Sequence, residues 1–272
     1  MKRLLLIAGL LATSLTATCV TTGPGGKQSL ILISDAQEVE IGQQVDAEVR
    51  STEKLLPDSA WQRYLADVGQ RIVKVCDRQE IEYHFAVIES DQINAFATPG
   101  GYVYFYTGIL NMMEDEAELA AVMAHEISHV VGRHSVKHLQ TALGASVLLQ
   151  IVLGERSEGA WGQVAGIVLG LGLTGYGRGH ELEADEYGVH YMKEAGYNPD
   201  GARTMFKKLA ALSGDDGQRS VFESLTSTHP DTQERLARID AQIAAMPRSV
   251  DNLPKYQDRY QSMRKRLPTP KQ

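Results

Sequence analysis

Five residues constrain this chain more than any others: His125-Glu126-Ile127-Ser128-His129. The stretch around them, Ala117 to Val131, has apolar residues at helical spacing. On a helix, residues four apart share one face at a separation of about 6 Å. Two imidazoles so placed can grip one Zn2+ ion, and Glu126 sits one step round the same turn. A carboxylate there can take a proton from a water that the metal has made more acidic. The plain alternative is a solvated helix face with two incidental histidines, so the search for further ligands decides the matter.

A catalytic zinc needs three protein ligands. One known spacing puts a third histidine six residues after the second, behind a glycine. Gly132 is in place here, but the sixth position is Ser135. His134 lies about 180° from His125 round a continuous helix, and His138 too far along its axis, so both read as helix-packing or solvent-facing residues. The better candidate is Glu181 in His180-Glu181-Leu182-Glu183-Ala184-Asp185. Glu181 and Asp185 share a helix face, Glu181 as ligand and Asp185 as the hydrogen-bond partner of a ligand imidazole. Glu183 points about 160° away from Glu181 and reads as solvated. With so many neighbouring acids, an exposed charged face is the competing reading for each of them.

The rest of the chain is mainly helical, with a small β component. Helices are expected over Asp35 to Lys54, from Pro57-Asp58-Ser59 onward with a stripe of Trp61, Leu65, Val68, Ile72 and Val75, over Leu119 to Arg133, over Leu182 to Ala195, after Asn198-Pro199, and after Pro230. Tyr83 to Ile88 is β-rich. Gly100-Gly101 opens Tyr102-Val103-Tyr104-Phe105-Tyr106, whose alternation puts the tyrosines on one face and Val103 and Phe105 on the other. A strand opened by two glycines beside the zinc helix reads either as an edge strand that a peptide can join by backbone pairing, or as an ordinary sheet strand. Residues 139–154 and 159–177 carry no charge. Sixteen residues span only about 24 Å, short of a hydrocarbon core of roughly 30 Å. A helical hairpin packed beside the cleft, placed to act as a lid, is therefore favoured over a membrane span.

Composition excludes several classes. At 43% hydrophobic and 22% charged residues the chain is globular, and its net charge of -7 disfavours nucleic acid as a partner. The N-terminus is secretory in shape: Lys2 and Arg3, then the apolar run Leu4 to Ala12, then Thr16-Ala17-Thr18-Cys19. Small residues before a cysteine suggest a lipoprotein cleavage box, with Cys19 as the lipidated residue, and cleavage near Ala17 without a lipid is the alternative. With Cys19 lipidated, Cys76 has no partner and reads as a buried thiol. The expected organisation is a signal peptide over 1–18, a flexible tether over 19–34, a catalytic domain over 35–246, and a C-terminal helix and tail over 247–272.

The HEISH motif followed about fifty residues later by ExxAD resembles the zinc metallopeptidase family that includes HtpX and the CAAX prenyl proteases. The run Asp115 to Glu126, the segment Asn94-Ala95-Phe96-Ala97-Thr98-Pro99-Gly100-Gly101 and Thr228-His229-Pro230 are similar to that family. The likeness is closest to its periplasmic and lipoprotein branch. The membrane-spanning helices of HtpX and the tetratricopeptide extension of some members are not seen. The resemblance implies an α+β, mainly helical zincin-like domain whose small sheet has an edge strand bordering the cleft. It implies one Zn2+ per chain held by His125, His129 and Glu181, with Glu126 as base. It gives His229 a place facing the zinc, either stabilising the oxyanion or occupying the open metal position. Separately, spacing puts Arg235 four residues after Asp231 on the same helix, placed to orient that loop. It favours substrate binding at Gly101, Tyr102, Val103 and Tyr104. Its substrates would be unfolded or misassembled envelope polypeptides, met in the periplasm of a Gram-negative cell at the outer membrane. Val20 after the cysteine agrees with that membrane.

Overall fold

The computed structural model describes residues 20–144, 148, 149, 151, 164, 166–170, 175–212, 229 and 232–270. Strands β1 (Val20–Thr22) and β2 (Gln28–Leu30) pair as a short antiparallel ribbon. Helix α1 (Asp35–Thr52) begins at a capping box, in which the Ser34 hydroxyl accepts from the Gln37 amide while Gln37 Oε1 accepts from the Ser34 amide. Helix α2 (Ser59–Val73) is capped by Asp58 and buries Trp61, Leu65, Val68 and Ile72, the stripe expected from the sequence. Residues 31–34 are not part of a flexible tether. Ile31 and Ile33 are each 1% exposed and pack with Ile41 and Val45 of α1. Apolar residues at this spacing leave water once a helix offers them a face.

The sheet holds β3 (His84–Ile88), β4 (Ala95–Thr98) and β5 (Tyr102–Tyr106) in the order β3-β5-β4, with β5 parallel to β3 and antiparallel to β4. This corrects the expectation for Gly101 to Tyr104. Strand β5 is central, both its ladders are used, and no backbone edge remains for a peptide. The alternation itself is as expected: Val103 and Phe105 join the core around α2, and Tyr102, Tyr104 and Tyr106 join the core around α1. Both faces are therefore covered, and the period says nothing of which strand lies outermost. Gly101, at φ 90°, serves the turn, where a Cβ would stand 2.4 Å from the Glu82 carbonyl oxygen.

After α3 (Thr107–Met112), helix α4 (Glu116–Val131) starts at Asp115, which accepts from the Glu118 amide at 2.9 Å. Every residue of α4 is buried. It is surrounded by α2, by β4, by α6 (Arg178–Glu194) and by α7 (Asp200–Leu212). Bare glycines allow that closeness. A Cβ on Gly188 would lie 3.1 Å from the His125 amide nitrogen, and one on Gly201 only 2.4 Å from the Ala117 carbonyl carbon. Gly201→Ala is expected to force α7 off α4 and cost about 1–3 kcal/mol, read as a lower thermal midpoint.

Helix α4 stops at Gly132, and Arg133 adopts a left-handed conformation (φ 51°) from which α5 (His134–Ala142) departs in a new direction. A non-glycine residue there costs on the order of 1–2 kcal/mol. Buried ion pairs hold it: Arg133 Nε lies 2.6 Å from Glu38, and its guanidinium donates to the Ile33 carbonyl at 2.8 Å. Arg78 makes two contacts to the same Glu38, at 2.9 and 3.0 Å.

Helix α8 (Thr232–Ala244) closes over α6 and α7, and α9 (Gln257–Arg264) seals the far end. The expected C-terminal helix is present and packs on the core. Tyr260 is fully buried and donates to the Leu110 carbonyl, and the Met263 carbonyl accepts from Trp61 Nε1. Cys76 is free and buried, as expected. Most of the 139–177 hairpin, Cys19 and the signal-like segment lie outside the described residues. Among the described residues no helix is long and apolar enough to cross a membrane.

Candidate metal centre

Helix α4 presents His125 and His129 one turn apart, with their Nε2 atoms 3.0 Å from each other. Helix α6, packed directly against α4, brings Glu181 opposite them: Oε2 is 3.6 Å from His125 Nε2 and Oε1 is 3.5 Å from His129 Nε2. Tetrahedral zinc with ligand bonds near 2.05 Å places its donors about 3.3 Å apart. His229 stands beside these three, its Nδ1 3.4 Å from His125 Nε2 and 2.9 Å from Glu181 Oε2. One donor atom from each of the four residues lies within 4.8 Å of all the others, and all four residues are buried. Asp231 lies outside the described residues.

The electrostatics fit a divalent cation. Glu126, Glu181 and Asp185 bring three carboxylates into the buried site, and Arg235 brings one guanidinium. Two of the carboxylate oxygens, Glu181 Oε1 and Glu126 Oε2, are buried without a hydrogen-bond partner. An orphaned buried oxygen is costly unless something meets it. A cation held between His125, His129 and Glu181 would meet the unpartnered Glu181 oxygen. Burial pushes the Glu126 carboxyl above its usual range, against the opposing pull of His229 and His125, which suits a proton acceptor working near neutrality. Burial would also raise Glu181, but the charges of His229 and Arg235 outweigh it and hold the carboxyl well below its usual range. Burial disfavours charge on His125, yet Asp185 and Glu181 overcome this and raise its pKa to about 9.

Asp185 stands beside His125, with its Oδ1 2.9 Å from His125 Nδ1. Arg235 does more than orient a loop. It grips Asp185 with two contacts of 2.7 and 2.8 Å, reaches Glu181 at 2.9 Å, and stacks over Phe206 at 4.8 Å.

Three residues escape the sequence reading. Tyr176 stacks on the His129 ring at 4.1 Å, and its hydroxyl joins Ser135 and the Ala97 carbonyl on the outer edge of β4. Nothing periodic surrounds Tyr176 in the sequence to mark it. His134 and Glu183 are also misjudged. Because α4 breaks at Arg133, His134 turns back under His129, 2.9 Å between their Nδ1 atoms, and Glu183 is paired with it rather than solvated. The Gly132-Arg133 pair, a helix-stop signal, is the mark that could have shown it.

Comparison with known proteins agrees with this geometry. The model of peptidase family M48 matches residues 59–243. The chain belongs to that family. Among curated relatives, a mitochondrial metalloendopeptidase OMA1 of Schizosaccharomyces pombe is 34% identical over 178 residues, covering 65% of this chain and 51% of the relative. A beta-barrel assembly-enhancing protease of Escherichia coli is 30% identical over 217 residues, covering 75% and 43%. The metalloprotease LoiP of Escherichia coli is 30% identical over 256 residues, covering 89% and 97%. The chain thus spans about half the length of the first two and nearly all of the third.

Proposed function

We propose that this M48 protein is a zinc endopeptidase of the cell envelope that hydrolyses unfolded or misassembled envelope polypeptides. The observation that carries the chemistry is the set of His125, His129 and Glu181 at zinc spacing, with the orphaned Glu126 oxygen beside it. The name of the beta-barrel assembly-enhancing protease, together with the signal-shaped N-terminus, supports the envelope setting. We place the protein in the periplasm, held at the outer membrane by a lipid on Cys19 rather than by a spanning helix.

Bound by His125, His129 and Glu181, zinc would polarise the scissile carbonyl and lower the pKa of a water, so that it loses its proton and attacks as hydroxide. Glu126 takes the proton of that water and passes it to the leaving amine. Asp185 holds His125 from behind, and Arg235 keeps Asp185 and Glu181 charged in the dry pocket.

The position of His229 bears on control. Its Nδ1 stands at ligand-like distance from both His125 and Glu181, and its Nε2 lies 3.6 Å from Glu126. This is the place that a substrate carbonyl and its attacking water need. We read the arrangement as a closed state with His229 in the fourth position, which must swing out before a peptide enters. A closed site also suits the second reading, a chaperone-like binding module that holds polypeptides without cutting them.

Cleavage of casein by the purified protein and by His229→Ala separates these readings. A closing residue gives His229→Ala at least several-fold higher turnover with zinc retained. A residue that stabilises the oxyanion gives a loss of about 10²–10³. A binding module cleaves nothing in either form.

A further inference from the structure

We propose that His134, held in turn by Glu183, is a positioning residue for the zinc ligand His129. The two form a carboxylate–imidazole–imidazole chain that fixes which nitrogen of His129 faces the metal. The inference rests on reading His129 as a ligand.

The protons of this chain have only one consistent arrangement. His129 Nε2 faces the other donors, 3.0 Å from His125 Nε2 and 3.5 Å from Glu181 Oε1. To bind a cation it must present a lone pair there, so the ring proton sits on Nδ1. That nitrogen is 2.9 Å from His134 Nδ1, which must therefore accept. A neutral imidazole that accepts at Nδ1 carries its proton on Nε2. His134 Nε2 lies 2.9 Å from Glu183 Oε2, a carboxylate ready to accept it. Reversing the chain would put a proton on His129 Nε2, aimed at the metal.

The surroundings hold His134 in this place. Both imidazoles are fully buried. The His180 ring stacks on His134 at 4.2 Å. Gly132 leaves the room: a Cβ there would stand 2.4 Å from His134 Nε2. The left-handed Arg133, pinned by Glu38, turns the chain so that His134 returns beneath the helix it has just left. Helix α6 also explains the indirect route. Glu181 and Asp185 share the face toward α4, and Asp185 reaches His125 directly. Glu183, two residues after Glu181, leaves α6 on a different side and reaches the second ligand through an imidazole supplied by α5. Partners of this kind typically govern metal affinity by 10–100-fold.

Zinc affinity of the full chain, measured by competition with a chelator, tests the inference. His134→Phe keeps the ring volume and the stacking on His180 but leaves His129 Nδ1 with no acceptor. It should weaken zinc binding by about 10–100-fold while the zinc-free protein stays folded. His134→Asn, whose side-chain oxygen can stand near the lost Nδ1, should recover most of the affinity. Glu183→Leu should weaken binding more than Glu183→Gln, which still offers an acceptor. A folded His134→Phe protein that binds zinc as tightly as wild type would overturn the inference. If that variant does not fold, the zinc-loaded wild type decides by long-range proton–nitrogen NMR of its histidines. The expected result is a proton on His129 Nδ1 and on His134 Nε2, and a proton on His134 Nδ1 would overturn it. Wild-type protein that takes up no zinc would remove the ligand reading itself, a failure distinct from tight binding by His134→Phe.

Discussion

Glu126→Gln is expected to lower peptide hydrolysis by about 10²–10⁴-fold while the protein still binds one zinc ion. Glutamine keeps the size of the side chain and an oxygen for hydrogen bonding, but it cannot take a proton. The loss is that of a general base placed at the reacting water. None of His125, His129 or Glu181 is altered, so zinc content should stay at one per chain. Turnover measured beside metal analysis checks both halves. Retained hydrolysis in a preparation free of contaminating peptidase would falsify the role of Glu126.

Arg235→Met is the change expected to cost most in stability. Its buried guanidinium contacts both Asp185 and Glu181. Methionine fills much of the volume and keeps a contact with Phe206, but leaves two carboxylates in a dry pocket. Breaking a buried pair in this way costs about 3–5 kcal/mol. The loss should appear in urea unfolding of the zinc-free protein and shrink when zinc is present, because the ion replaces part of the missing charge. A cost below about 1 kcal/mol in the zinc-free state would mean that Arg235 does not hold these acids.

Much of this site is legible in the sequence because helices impose their own geometry. His125 with His129, and Glu181 with Asp185, are pairs at i and i+4. Such pairs must share a face wherever the helix lies. The burial stripe of α2 is legible for the same reason. What escaped depends on neighbours rather than on period. Alternation in Tyr102 to Tyr106 sorts side chains between two faces, but gives no sign that β4 will pair on the outer side. Strand β4 itself, Ala95-Phe96-Ala97-Thr98, is too short and too poor in branched residues to announce itself. His134 was misplaced by treating α4 as continuous. One left-handed residue, Arg133, invalidates every angle counted beyond it. Its stability comes from Glu38, nearly a hundred residues earlier, and no local pattern carries that information.

The same limit applies to charge. An acidic run reads as a solvated face until a partner is known. Glu183 found one in His134 and another in Lys27, 2.9 Å away. Glu38, midway along an otherwise ordinary amphipathic helix, is 1% exposed because Arg78 and Arg133 converge on it. Buried charges of this kind are tolerable only when paired, and the pairs span the chain.

The most direct test of the central claim is to titrate zinc into the metal-free protein while following casein cleavage. Hydrolysis should be absent at the start, rise in step with added metal, and level off at one equivalent. Cleavage that persists after the metal has been fully removed, or that rises without limit past one equivalent, would contradict a single zinc centre built from His125, His129 and Glu181.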